Sequence, residues 1–423
     1  MEKTIGTRIV TTVSFVILAL LLGAVVGGAT WCLLKIMAVC IDLVWQSGWN
    51  YFDFTLYPLV VCIIGGLVIG AWQKKFGEYP EELNEVMAQV KATGGYPYNK
   101  ILIISVAALL PLIFGGSIGP EAGLTGVIAG FCTWVGDRFK YAAKEVQDIT
   151  QIGMAAVLSV IFTSPLFGFL APFEEENRDI TLPKRAKMIL YFAAIFGGLG
   201  IFSLLGRAFG APLSMGRFTS AQIGAEELLW FIPIAIVGVL AGYLYHFSGK
   251  FVQRAFNPLK PYPIAKAVIG GVILGGTGIF LPYTMFAGES QMAIVMAEWQ
   301  NMAVAVLFLT GFIKLIIGNI CWHSGWRGGN IFPVIFSGVC LGYALATVTG
   351  VDSIFAVIVA TATLAAMVMR KPLMTAMVLL LCFPLSNLIL LLLASFIGSA
   401  FPLPKSWNQP KEENELDKKV KTA

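Results

Sequence analysis

The chain has 423 residues, of which 57% are hydrophobic and 13% are charged, and its formal net charge is +5. Its mean hydropathy of +0.80 is too high for a single soluble domain, and so small a net charge gives no indication of a nucleic-acid partner. The seven cysteines are scattered without a CxxC pair. Neither a metal site nor a disulfide framework is therefore predicted, and no nucleotide or cofactor motif is present.

Apolar runs recur along the whole chain and predict an all-α, polytopic membrane protein. Several are long enough to cross about 30 Å of hydrocarbon as a helix. Others are short and broken by glycine or proline, which is typical of close-packed, discontinuous helices. The first run is too long for the apolar part of a signal peptide, so we expect a retained membrane helix. In chain order the runs are Ile9–Met37, Phe54–Trp72, Ile101–Phe114, Gly153–Phe173, Met188–Leu205, Leu228–Tyr245, Ala265–Leu281, Met302–Ile320, Ile331–Thr347, Ile354–Met369 and Met374–Ile397.

A first glycine-rich segment, residues 115–123 (Gly-Gly-Ser-Ile-Gly-Pro-Glu-Ala-Gly), places one carboxylate, Glu121, between uncharged apolar stretches. An ionised acidic side chain at the bilayer centre costs about 2.5–3.5 kcal/mol even on insertion scales. Such a residue normally faces a water-filled path, which predicts a functional role for Glu121. The alternative is that Glu121 is neutral, or that it only hydrogen-bonds the backbone near a helix start.

A second glycine-rich segment, residues 324–333 (Ser-Gly-Trp-Arg-Gly-Gly-Asn-Ile-Phe-Pro), lies about half a chain away, because Gly119 and Gly329 are 210 positions apart. Corresponding interruptions in two halves indicate a transporter built from repeats, here residues 1–205 and 206–404, followed by a polar, disordered tail at 405–423. Glycine lets the backbone approach a ligand, and a new helix offers unpaired N–H groups and a positive dipole end. This predicts an anion held largely by backbone. The alternative is that these glycines only permit tight helix crossing.

Four segments, taken in order, resemble signature segments of the CLC chloride channels and transporters. Residues 119–123 match the family's G-R/K-E-G-P segment in Gly and Glu, and residues 329–333 match its G-x-F-x-P segment in Gly and Pro. Residues 164–175 resemble A-P-L-A-G-x-L-F-x-x-E-E, and residues 370–373 resemble R-x-P-L. The resemblance covers about residues 10–400. It implies two inverted repeats with discontinuous and tilted helices, a homodimer with one pathway per subunit, and a place in the bacterial inner membrane.

The resemblance also implies roles for individual residues. Glu121 aligns with the gating glutamate, whose carboxylate occupies an anion site when ionised and leaves it when protonated. Glu175 aligns with the internal glutamate that relays protons in exchangers, although it could also be a solvated charge in the acidic run 174–176. The positions that would bind the anion, mainly through backbone, are Gly77, Ile118, Gly119, Ala122, Gly123, Gly329, Ile331 and Phe332.

Two departures from the family pattern concern hydroxyl donors to the anion. Residues 76–80 (Phe-Gly-Glu-Tyr-Pro) have Gly77 where the family has a serine, and no tyrosine corresponds to the one near the family's C-terminus. Each lost hydrogen bond weakens anion binding by about 1 kcal/mol. In exchangers of this family a weak central anion site loosens proton coupling, so the sequence is interpreted as a divergent bacterial branch that does not inherit the family's exchange stoichiometry.

Two cations near the second segment have open interpretations. Lys314 interrupts an apolar run, and it either attracts anions into a vestibule or reaches the interface or pairs with a carboxylate. Arg327 lies within the second segment and is the better candidate for a vestibule charge.

The predicted function is transport of chloride in exchange for protons across a lipid bilayer. Passive chloride conduction is the nearest alternative, and fluoride export is a further variant, since loss of the serine is shared with that branch. A proton-coupled carrier of organic anions is the alternative from a different class. An enzyme is disfavoured because no nucleophile–base or metal constellation can be assembled from these residues.

Overall fold

The computed structural model describes residues 2–47, 55–93, 95–138, 146–170, 185–212 and 215–404. Two predictions, the proton relay at Glu175 and the tail at 405–423, lie outside these residues. The described chain is built from α-helices and short helical turns. The helices are α1 (Glu2–Asp42, continued by a π-helical turn at Leu43–Ser47), α2 (Tyr57–Phe76), α3 (Leu83–Thr93), α4 (Ile101–Ile113), α5 (Glu121–Arg138), α6 (Val146–Ile161), α7 (Pro165–Leu170), α8 (Arg185–Phe209), α9 (Ala225–Phe256), α10 (Pro263–Phe280), α11 (Glu289–Glu298), α12 (Val304–Ser324), α13 (Ile331–Thr349), α14 (Ser353–Met369), α15 (Pro372–Leu379) and α16 (Leu388–Ala400).

Within the described ranges, seven helical segments are long and apolar enough to cross a membrane. Large apolar side chains on the outside of the bundle are openly exposed, among them Leu229 at 77% and Phe280 at 84%. Such a surface is unfavourable in water but suits hydrocarbon. The predicted polytopic, all-helical membrane fold is confirmed. The seven segments are Val13–Gln46, Tyr57–Phe76, Met188–Phe209, Ala225–Leu259, Pro263–Phe280, Val304–Ser324 and Ile331–Thr349.

Discontinuous helices occur at both glycine-rich segments. Helix α4 ends at Ile113 and α5 begins at Glu121. Helix α12 ends at Ser324, where Gly325 takes a left-handed conformation with φ of 102° and its N–H donates back to the last turn. Helix α13 then begins at Ile331. Both interruptions leave a helix N-terminus inside the protein rather than at its surface.

The core of the bundle is α13. Buried residues make up 89% of its apolar window, whereas the other membrane-length helices are 28–44% buried. The outer helices pack closely through glycine. A Cβ on Gly23 or Gly27 of α1 would overlap the backbone of Ala194 or Gly198 in α8. The predicted boundary at 205/206 falls within α8, which continues to Phe209, and the division into repeats stays a prediction.

Candidate anion site

The two glycine-rich segments meet in a short antiparallel bridge. The N–H of Gly119 donates to the carbonyl oxygen of Gly329 at 2.7 Å, and the N–H of Gly329 donates to the carbonyl oxygen of Gly119 at 2.7 Å. A methyl group on Gly328 would lie 2.9 Å from Cβ of Ile118, so Gly328 packs directly against the Ile118 side chain and a larger residue would push the two segments apart. The bridge brings the starts of α5 and α13 together.

Glu121 is the first residue of α5, and only 1% of it is exposed. Its Oε1 accepts a hydrogen bond of 2.8 Å from the backbone N–H of Ile331, the first residue of α13. The backbone N–H of Phe332 also interacts with this carboxyl. The first N–H groups of a helix lack intrahelical acceptors and lie at the positive end of its dipole. The Glu121 carboxyl therefore occupies the position at which α13 would bind an anion.

Glycine is needed beside this carboxyl. A Cβ on Gly119 or on Gly329 would overlap the Glu121 side chain, so any larger residue there would displace the carboxyl from the start of α13. The second carboxyl oxygen, Oε2, is buried and has no hydrogen-bond partner among the described residues. Only one of the two carboxyl oxygens is thus held in place.

The backbone N–H groups of the two glycine-rich segments and of the helix that follows the first one fall into two groups: those without an intrahelical acceptor and those already hydrogen-bonded. Ala122 and Gly123 lie in the first turn of α5, where N–H groups have no intrahelical acceptor. The N–H groups of Gly119 and Gly329 are already used by the bridge. These glycines permit the close approach of the segments, but their N–H groups are not available to an anion.

Gly77 requires a correction. It follows the last residue of α2 with φ of 98°, and its N–H donates to the carbonyl oxygen of Gln73 at 2.9 Å. This hydrogen bond closes the last turn of α2, and the positive φ is one that glycine adopts readily. Gly77 therefore has no free backbone donor, and the prediction that it contributes one to the anion site is wrong.

Arg327 forms an ion pair with Glu78, whose other carboxylate oxygen lies 3.0 Å from Nζ of Lys266. The guanidinium also lies over the Trp322 ring at 5.1 Å. Burial alone would raise the pKa of Glu78, but Arg327 and Lys266 together hold it below its ordinary value. Arg327 is thus part of a paired cluster, and its role as a vestibule charge stays a prediction.

Lys314 is fully buried at 0% exposure. Its ammonium donates to three backbone carbonyl oxygens, those of Tyr283 at 3.0 Å, Met285 at 3.0 Å and Phe286 at 2.8 Å. It therefore neither lines an open vestibule nor reaches the membrane interface. Those two interpretations are wrong, because a close turn of backbone surrounds the ammonium.

Tyr245 was missed by sequence reasoning. Its hydroxyl oxygen accepts a hydrogen bond of 2.7 Å from the side-chain amide of Asn330, the residue before α13. Asn330 directly precedes Ile331, whose N–H donates to Glu121, so the Tyr245 hydroxyl is held near the start of α13. The hydroxyl hydrogen is not used by the Asn330 contact, so it can donate to another group. Tyr245 lies within the long apolar helix α9, and no local signal distinguishes it from a packing residue.

The fold is shared with solved structures of ion transporters. A slow cyanobacterial Cl⁻/H⁺ antiporter superposes with a TM-score of 0.76 and 19% identity, covering 96% of this chain and 98% of that one. A CLC-type fluoride/proton antiporter superposes with a TM-score of 0.74 and 18% identity, covering 92% of this chain and 94% of that one. At 18–19% identity, this likeness shows a shared fold and nothing further.

Sequence comparison gives the family. The chain is 27% identical over 241 residues to "Putative ion-transport protein YfeO" of Escherichia coli and, equally, of Shigella flexneri. The match covers 57% of this chain and 56% of the relative, so the chain spans about half the length of the curated relatives it matches. Residues 65–402 match the family described as voltage gated chloride channel. The chain therefore belongs to this family, the CLC family of anion transport proteins.

Proposed function

We propose that this protein moves chloride across a bacterial cytoplasmic membrane in exchange for protons, with Glu121 as its gate. The observation that carries the proposal is the hydrogen bond from the Ile331 N–H to the Glu121 carboxyl at the start of α13. An ionised carboxylate there mimics a bound anion. Chloride and the carboxylate compete for one set of donors, so only one of them can occupy the site at a time.

Protonation of Glu121 determines whether its carboxylate or chloride occupies the start of α13. When Glu121 takes up a proton it loses its charge, and the positive end of α13 no longer favours it over chloride. The neutral side chain then leaves and carries the proton with it. Because the side chain is buried, a bare carboxylate outside the site would carry a large desolvation cost. Anion entry and proton uptake are therefore linked.

The donors that would hold chloride are backbone N–H groups at two helix starts, those of Ile331 and Phe332 in α13 and of Ala122 and Gly123 in α5. The hydroxyl of Tyr245 supplies a further donor beside Asn330. It compensates in part for the serine and the C-terminal tyrosine that this sequence lacks. Ile118 lines the same approach through its backbone.

The test is a flux measurement in proteoliposomes that compares the wild type with Glu121→Gln. A chloride gradient should drive protons uphill in the wild type, because each chloride displaces a carboxylate that must be protonated. Glutamine keeps the shape but cannot carry a proton, so chloride flux should persist while proton flux is lost. Glu226→Gln is the matched control, since Glu226 is an exposed glutamate in the first turn of α9.

Each other outcome identifies an alternative. Chloride flux without proton movement in the wild type would mean passive conduction. Proton movement driven by fluoride but not by chloride would mean fluoride export. The absence of flux with either halide, together with proton uptake on adding a small carboxylate, would favour an organic-anion carrier.

A further inference from the structure

A buried charge cluster lies beside the candidate anion site and takes no part in the mechanism proposed above. Its cation is Lys314 of α12, whose three N–H donors each bond a carbonyl oxygen of the turn at 283–286. An ammonium group has three donors, so no donor is left for a carboxylate. The ammonium also lies over the ring of Phe336 in α13, 4.9 Å from its centroid.

The anionic partner is Glu289, the first residue of α11, which is 7% exposed. Its Oε1 is buried and has no hydrogen-bond partner among the described residues. The Glu289 carboxyl interacts electrostatically with both Glu121 and Lys314. Nothing in the sequence distinguishes Glu289, because an acidic residue in the first turn of a helix is common.

Backbone contacts fix this cluster against the anion site. The N–H of Phe286 donates to the carbonyl oxygen of Gly115 at 3.0 Å, which ties the turn to the first glycine-rich segment. The residue before Glu289 is Gly288, and a methyl group there would lie 2.6 Å from Cβ of Phe336. The turn, α11 and the start of α13 therefore form one packed unit.

The number of buried charges determines how many protons this region must bind to be neutral. The cluster and the adjacent anion site together hold two buried carboxyl groups, Glu121 and Glu289, and one buried ammonium, Lys314. The other titratable groups facing Lys314 are the thiols of Cys321 and Cys340, which carry no charge as thiols. A buried charge is costly unless an opposite charge compensates it. These three groups are together neutral when one proton is bound by the two carboxyl groups.

Resting on the proposed function, we propose that Glu289 is a proton-carrying group of this transporter besides Glu121 and that it exchanges a proton with Glu121. When ionised Glu121 occupies the start of α13, Glu289 holds the proton. When the proton passes to Glu121, chloride replaces the Glu121 carboxyl, and ionised Glu289 is compensated by Lys314. Lys314 is a positioning residue, since it fixes the turn and supplies the counter-charge.

The experiment measures chloride and proton fluxes together in proteoliposomes for the wild type, Glu289→Gln and Glu298→Gln. Glu298 is an exposed glutamate at the other end of α11 and is the matched control. In Glu289→Gln, we expect proton flux to fall about a hundredfold, the lower range of what a positioned proton-transfer group contributes, while chloride flux persists. Glu298→Gln should resemble the wild type.

Unchanged proton flux per chloride in Glu289→Gln would overturn the inference while leaving the proposed function intact. A wild type without chloride flux would instead refute the proposed function. A wild type that moves chloride without protons would overturn both the exchange and this role of Glu289.

If Glu289→Gln moves no chloride, infrared difference spectroscopy on the purified protein tests whether Glu289 exchanges a proton with Glu121. Adding chloride to the wild type should shift the C=O stretch of a protonated carboxyl as the proton moves from Glu289 to Glu121. Glu289→Gln should lack that shift, and Glu289→Asp, which keeps the carboxyl, should retain it. A shift that persists in Glu289→Gln would overturn the inference.

Discussion

At the scale of single residues, the site depends on which backbone donors are already used. The N–H groups of Gly119, Gly329 and Gly77 donate to backbone carbonyl oxygens, whereas the N–H of Ile331 donates to the side chain of Glu121. An anion therefore has few donors besides the helix starts. A hydroxyl donor near the start of α13 should therefore contribute measurably to the affinity for the anion.

We predict that Tyr245→Phe weakens chloride binding about fivefold, since one lost hydrogen bond is worth about 1 kcal/mol. Isothermal titration of the purified protein with chloride measures this. Tyr243→Phe is the control, because the Tyr243 hydroxyl on the same helix donates to the carbonyl oxygen of Pro402 instead. An affinity in Tyr245→Phe equal to that of the wild type would show that this hydroxyl does not contact the anion.

At the scale of elements, glycines decide how closely the outer helices pack. Helices α1 and α8 approach until Gly27 lies against the backbone of Gly198, where a methyl group would overlap the carbonyl. The next residue, Gly28, is different. A methyl group there would meet only Cγ2 of Ile201, at an ordinary contact distance of 3.7 Å. Adjacent glycines thus have different tolerance for the same substitution.

We predict that Gly27→Ala destabilises the protein by about 1–3 kcal/mol, as overpacking does, whereas Gly28→Ala leaves stability nearly unchanged. Thermal unfolding in detergent, followed by tryptophan fluorescence, compares the two variants. Equal unfolding temperatures for the two variants would mean that α1 and α8 are not in close contact in the detergent-solubilised protein.

At the scale of the whole molecule, contacts between distant parts of the chain assemble the site. The bridge joins residues 119 and 329, and the cluster of Glu78, Lys266 and Arg327 joins the loop after α2 to α10 and to the second glycine-rich segment. Glu78 is 43% exposed at its side chain, so solvent moderates the strength of this cluster.

The cluster predicts a pH dependence of stability. Because the folded-state pKa of Glu78 is below its ordinary value, its contribution is fully present above the unfolded pKa of about 4.3. It is lost as the pH falls through the lowered folded-state value. The wild type should therefore unfold at a higher temperature than Glu78→Gln near neutral pH, and the difference should disappear in acid. A difference that does not change with pH would contradict this, and Glu298→Gln is the control.

Local patterns in the sequence determined the membrane class and the helix breaks at both glycine-rich segments. They also distinguished Glu121 from the other acidic residues. They could do so because hydrophobicity, glycine content and an isolated buried charge are properties of short stretches of chain. The same patterns, with the family resemblance, gave the family correctly. Dimerisation and the proton relay at Glu175 stay predictions.

Only the tertiary structure decided which donors are free and which charges are paired. The N–H of Gly77 is bonded at the end of α2, Arg327 is paired with Glu78, and Lys314 is bonded by the turn at 283–286. Tyr245 is placed by its hydrogen bond from Asn330, and Glu289 by the packing of Gly288 against Phe336 of α13. Each of these depends on a hydrogen bond, an ion pair or a charge interaction with a particular partner, mostly far away in the chain. The chemistry of a single residue does not reveal which partner the fold will bring to it.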